Sequence, residues 1–146
     1  MHLHYLCAAM DIAHQIRDKG LKVTPSRLGV MEVLGQNHQA YAHADLELLF
    51  KDMDRVTLYR VLNDFEEAGL VHKIIDMDGV TRFALCKHSC PDTHHADEHV
   101  HFSCQACHKM FCLENVSSPV FNIPSGFKAI GQNILVYGFC KTCSAA

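Results

Sequence analysis

The chain has 146 residues, 49% of them hydrophobic and 20% charged, a composition typical of soluble globular proteins that excludes disorder and collagen-like repeats. With 13 Lys+Arg against 16 Asp+Glu, the net charge of −3 predicts no indiscriminate attraction to nucleic acid or anionic membranes. Any DNA contact must come from a local basic patch. No run approaches the roughly 18 apolar residues of a membrane span, and the first residues lack the continuous apolar core of a signal peptide. A cytoplasmic protein with no membrane partner is expected. Eight cysteines and twelve histidines without a tryptophan form the ligand set of a soft or borderline metal.

In chain order, Leu6, Met10, Ile12, Ala13 and Ile16 fall at helical spacing and Gly20 supplies a stop. Thr24 caps and Pro25 opens a second helix whose Leu28, Met31, Val33 and Leu34 face inward. Residues 44–50 form a short third helix. A fourth starts at Asp54 as cap, runs through Val56, Leu58, Leu62, Phe65 and Ala68, and ends at Gly69. Residues 71–75 and 80–85 read as strands joined at Asp78-Gly79, a strong hairpin signal. Helices followed by a hairpin is the order of a winged helix-turn-helix.

Residues 86–98 are polar, contain Pro91 and read as a hinge. Beyond it, residues 99–103 and 109–113 are expected as strands on either side of a cysteine knuckle, and 134–139 as another. Pro119 and Pro124 argue against a long helix between them. Seven of the eight cysteines lie from Cys86 onward, so the chain divides into a part through residue 85, the hinge, and a part over residues 99–146.

Cys104-x-x-Cys107 and Cys140-x-x-Cys143 are two tight-turn thiolate pairs, and two such turns brought together supply the four tetrahedral ligands of a closed zinc site. A redox pair would be single and would sit between strand and helix. The signatures of a zinc deaminase, a serine hydrolase or a phosphate loop are absent from the sequence, so an enzyme is not expected. His72, Cys86, Cys90, His99, His101, Cys112 and Glu114 remain for a second, more exchangeable site. His99 with His101, and Cys112 with Glu114, alternate along their strands and so share a face. His88, His94 and His95 read as solvated hinge residues.

With these pieces placed, Asp54-Arg-Val-Thr-Leu-Tyr-Arg60-Val-Leu resembles the recognition helix of the ferric uptake regulator family. Gly20-Leu-Lys-Val-Thr-Pro-Ser-Arg27 is similar to that family's approach to the second helix, and His99-Val-His101-Phe-Ser-Cys104-x-x-Cys107 to its histidine and zinc-knuckle signature. The resemblance implies an α+β fold: an N-terminal winged helix-turn-helix DNA-binding domain followed by a small α/β dimerisation domain with a four-cysteine structural zinc site. It also implies a homodimeric, metal-dependent transcriptional repressor on a pseudo-palindromic double-stranded operator. Tyr59 and Arg60 would enter the major groove and Lys22 would reach toward a minor groove. Arg17, Lys19, Arg27 and Arg55 would contact phosphates, with Thr57 in the same interface.

In the family's zinc-responsive branch, the sensing site resembles a His at the start of the wing and a Cys at its end, matched here by His72 and Cys86. Iron and peroxide sensors carry a carboxylate where this chain has Cys112, and thiolates suit zinc better than iron or manganese. The late-wing carboxylate of the family is Ala84 here, and the histidine eight residues before the third zinc cysteine is Gln132. Zinc is therefore expected at the regulatory site, with iron or manganese as the alternatives. From other classes, a zinc module or chaperone would lack sequence-specific DNA affinity, and an oxidoreductase would need a reversible disulfide without bound metal.

Overall fold

The computed structural model describes residues 11–36, 38–85, 99–130 and 132–145. Residues 11–18 are helical (α1) and bury Ile16 completely. The part of the expected first helix before Asp11 lies outside the described residues, as do Cys86, Cys90 and the rest of the expected hinge. α2 (Pro25–Gly35) starts where the Thr24 hydroxyl accepts the Arg27 N–H at 3.3 Å and Pro25 needs no donor partner. Then follow β1 (Gln39–Ala42), α3 (His43–Leu49) and α4 (Arg55–Glu67). Asp54 caps α4 by accepting the Thr57 N–H at 3.0 Å and also accepts the Thr57 hydroxyl.

α4 buries Leu58, Val61, Leu62 and Phe65, the i, i+3, i+4, i+7 stripe of an amphipathic helix. They pack with Ile16, Val30, Met31, Leu34 and Leu46 from the other helices and with Val71 and Phe83 from the hairpin. That hairpin is β2 (Val71–Ile75) and β3 (Thr81–Leu85), in register from Val71 opposite Leu85 to Ile75 opposite Thr81. Its turn is closed by Asp76, whose carboxylate accepts the N–H groups of Asp78 and Val80 at 2.9 Å each and Arg82 Nε at 3.0 Å. Gly79 stands at φ +79, a conformation that costs a residue with a Cβ. Helices followed by this hairpin make the expected winged helix-turn-helix, with α4 in the recognition position.

β4 (His99–Cys104), β5 (Met110–Ser117) and β6 (Ile134–Gly138) form the C-terminal sheet, with β4 central, antiparallel to β5 and parallel to β6. One turn of helix, α5 (Lys141–Ser144), ends the described chain. Residues 118–130 and 132–133 form no helix or strand, in keeping with the two prolines there. β1 was not expected, and it changes partner halfway. Tyr41 and Ala42 pair with Phe83 and Arg82 of β3, whereas Gln39 and Ala40 pair with Phe111 and Met110 of β5. The result is one six-stranded sheet in the order β2-β3-β1-β5-β4-β6. A second apolar cluster of Ala40, Ile74, Ala84 and Met110, flanked by Cys112 and Leu135, lines one face of it on both sides of β1.

Candidate metal centres and nucleic-acid interface

The knuckle after β4 turns back through His108 at φ 57, where His108 N–H donates to the Cys104 carbonyl at 3.0 Å and Cys104 N–H to the Lys109 carbonyl at 2.9 Å. Gln105 N–H reaches the Gly138 carbonyl at 2.7 Å, which sets the end of β6 beside the knuckle and brings the second cysteine pair up to the first. Sγ atoms of Cys104, Cys107, Cys140 and Cys143 all lie within 4.8 Å of one another, with Cys107 and Cys140 at 3.8 Å. Cys104 is buried and the other three are partly so.

The backbone N–H groups of Cys107 and Cys140 hold the Cys104 thiol down to about 6, and hydrogen bonding to Cys140 pushes Cys143 up to about 12. Opposite shifts within one cluster have a simple electrostatic cause. Four thiolates this close cannot all ionise without a cation among them. Four converging sulfurs with no oxygen donor in the set suit a closed tetrahedral ion such as zinc.

A second cluster joins the wing to the C-terminal sheet. His72 comes from β2, His101 from β4 and Cys112 from β5, and their ligand atoms again lie within 4.8 Å of one another. His72 Nε2 is 3.2 Å from His101 Nε2 and 3.9 Å from Cys112 Sγ. β2 and β4 stand four strands apart in the sheet, a separation of about 19 Å if the sheet were flat. The partner switch at β1 bends the sheet until its two halves face each other. Ala40 and Ala84 are wholly buried on that concave face, and their short side chains leave room for the imidazoles.

Of the seven residues expected at the second site, the fold thus brings together His72, His101 and Cys112. His99 and Glu114 lie on β4 and β5, where only their backbone is described, and a register irregularity falls between His99 and Val100. Cys86 and Cys90 lie outside the described residues.

On its solvent-exposed side α4 presents Arg55, Val56, Tyr59 and Arg60, with Tyr59 58% exposed. Thr57 is engaged with Asp54 as part of the cap. Lys22 and Arg17 are exposed, and Lys19 is partly so. Arg27 behaves differently from its expected role: Nη1 donates to the Lys22 carbonyl and Nη2 to Asp64, each at 2.6 Å, bracing the start of α2 against α4. Sequence reading also missed a clamp on Arg55. Glu47 Oε1 lies 2.8 Å from His43 Nδ1 and 3.1 Å from Arg55 Nε, within ion-pair range, which sets the start of α4 beside α3. The i, i+4 spacing of His43 and Glu47 was its available signal. Lys73, Val80 and Thr81 of the wing line a groove with Tyr59 and Val56.

A helix-turn-helix with a wing, bonded through its sheet to two metal-sized clusters of cysteine and histidine, defines a metal-binding winged-helix protein. Residues 18–119 match the model of the ferric uptake regulator family. The ferric uptake regulation protein of Legionella pneumophila is 31% identical over 143 residues, covering 92% of this chain and 99% of that protein. The peroxide operon regulator of Bacillus subtilis is 29% identical, covering 99% of this chain and 97% of its own. Among solved structures, a zinc uptake regulator complexed with zinc and DNA matches with a TM-score of 0.60 at 25% identity, over 98% of this chain and 95% of that one. The chain belongs to the ferric uptake regulator family. It is accordingly a DNA-binding, metal-responsive transcriptional repressor and not an enzyme. No helix among the described residues is long and apolar enough to cross a membrane.

Proposed function

We propose that this protein is a zinc-responsive repressor that acts as a homodimer on a pseudo-palindromic operator. The observation that carries the reading is the convergence of His72 from the wing with His101 and Cys112 from the C-terminal sheet. A donor set of two imidazoles and a thiolate favours zinc over the harder Fe²⁺ and Mn²⁺. When bound, zinc supplies a concentrated positive charge and a fixed cross-link between ligands from separate strands. The division proposed is a DNA-binding part over residues 1–85, a hinge over 86–98, and a dimerisation and metal-binding part over 99–146. Cys86 from the wing's end and Cys90, His99 and Glu114 are proposed as further donors to this regulatory site.

His72 on the wing moves with α4, because Val71 and Phe83 are packed in the helical core. Anything that binds the closed arrangement of His72, His101 and Cys112 more tightly than the open one therefore biases how the two recognition helices of a dimer are held. Tyr59 and Arg60 are proposed to read base edges, and Lys22, Arg55 and Thr57 to contact the backbone. Cys104, Cys107, Cys140 and Cys143 are proposed to hold a structural zinc. The dimer reading is supported by β6, an edge strand with exposed Val136 and Tyr137, and by exposed Phe121, Phe127 and Ile130 in the preceding segment.

The test is DNA binding by fluorescence anisotropy, with zinc, Mn²⁺ and anaerobic Fe²⁺ added separately to protein that retains its structural ion. Zinc is expected to raise affinity for a selected operator. Tyr59→Ala with Arg60→Ala should weaken specific binding by about tenfold or more while leaving the zinc content unchanged. Response to Fe²⁺ or Mn²⁺ but not zinc would make this an iron or peroxide sensor of the same family. Unchanged operator binding in the double variant would remove α4 from the interface.

A further inference from the structure

Arg55, the first residue of α4, has a side chain that is 83% exposed, yet one edge of its guanidinium is held. Nε lies 3.1 Å from Glu47 Oε1 of α3, and among the described residues no other carboxylate pairs with Arg55. The same oxygen is 2.8 Å from His43 Nδ1, one turn earlier in α3, and the His43 side chain is only 23% exposed. The carboxylate thus stands between an imidazole on its own helix and a guanidinium on the next. An arginine held by its Nε edge keeps both Nη groups for another acceptor, and that planar fork suits two oxygens of a phosphate. A free surface arginine gives up rotamer freedom on binding, whereas one already oriented gives up less. Arg55, Tyr59, Lys73 and Thr81 line, with His43 and Glu47, a groove of about 660 Å³ between α3, α4 and the wing. The lysine of this groove is committed elsewhere: Lys73 Nζ is 2.5 Å from Glu66 and lies over the Phe83 ring.

We propose that Glu47 is a positioning residue for DNA binding, presenting the Arg55 guanidinium to a phosphate of the operator backbone. The inference rests on the reading that α4 enters DNA and that Arg55 meets the backbone there. It adds that a carboxylate prepares this contact, although it brings a negative charge to the same surface. Charge alone predicts the opposite outcome, since deleting a carboxylate beside DNA strengthens binding.

A double-mutant cycle separates the two, because Glu47's own charge cancels when the effect of Arg55→Ala is compared between backgrounds. The probe is a DNA duplex selected from a random pool by the wild-type chain. Full-length protein is titrated onto it across a salt series, with the metal that gives the strongest binding. In the wild-type background Arg55→Ala should weaken binding by about threefold or more and reduce the salt slope by about one. In the Glu47→Ala background the same substitution should weaken it by less than about twofold. Should Glu47→Ala not fold, Glu47→Met, with a stem of similar length and no oxygen, takes its place with the same expectation. An equal effect of Arg55→Ala in both backgrounds overturns the proposal. So does a steeper salt slope in the Glu47 variant, the mark of a carboxylate that merely repels DNA. If Arg55→Ala changes nothing while Tyr59→Ala with Arg60→Ala still weakens binding, the proposal fails and α4 stays in the interface. If that second variant also binds unchanged, both readings fail.

Discussion

Cys143 keeps its proton up to about 12 while Cys104 gives up its own near 6. At neutral pH, loading the cluster with zinc must therefore displace at least one proton into solvent. Isothermal calorimetry in two buffers of different ionisation enthalpy should show that release. It should also show zinc affinity falling as pH is lowered, and falling more steeply below about 6, where Cys104 is protonated too. Zinc uptake without proton release would contradict the thiol assignment. In the metal-free protein the two groups act in opposite directions. The lowered Cys104 value contributes stability that is complete above its ordinary 9.0 and lost as pH falls through about 6. The raised Cys143 value contributes below 9.0 and is lost as pH climbs toward about 12. At this scale the sequence exposed which cysteines pair, because C-x-x-C is a local turn. It could not expose Arg27, whose guanidinium is turned inward by Asp64 across 37 positions of chain.

The wing hairpin depends on one carboxylate. Burial acts to raise the Asp76 pKa, but the Val80 and Asp78 N–H groups and Arg82 outweigh it and hold the group below its usual value. Arg82 in turn reaches Asp45 at 3.4 Å, and Asp45 accepts the Ala42 N–H at 2.9 Å at the start of α3. Asp76→Ala should therefore loosen both the turn and the wing's tie to the helices, costing about 1–3 kcal/mol by leaving partners unsatisfied. Urea melts would measure it. The Asp76 contribution is present above the ordinary carboxylate pKa and lost as pH falls through the depressed value, so wild type and variant should converge in acid. Equal stability at neutral pH would sink the idea. α2, α4 and both wing strands could be read from the sequence to within a few residues, because caps, Gly79 and the apolar periods are local. β1 was not legible: Gln-Ala-Tyr-Ala has no alternation worth reading, and its strand character comes from partner residues forty or more positions away in sequence.

For the whole molecule, the wing-to-sheet cluster exists only because the sheet bends, and the bend is lined by small side chains. Ala40 is 0% exposed at its centre, next to Met110 and Ala84. Ala40→Leu should cost about 1–3 kcal/mol through overpacking and wedge the halves apart. The expected result is loss of the second zinc with the four-cysteine ion retained, read by metal analysis after dialysis. Retention of both ions would show that the cluster does not depend on that curvature. This is also why the candidate site was only half legible. Residue types and strand alternation pointed to His72, His101 and Cys112, but their meeting needs a fold in the sheet that no local pattern announces.

β1 holds the sheet together with two paired residues on each side. A join so narrow resembles the perforation in a sheet of paper: the material on both sides is whole, and tearing follows one line. The helical core and the four-cysteine knuckle each have their contacts on one side of that line, so parting along it would leave both intact. Amide hydrogens of Tyr41 and Cys112, on either side of the perforation, are therefore the places where exchange with heavy water would mark the tear.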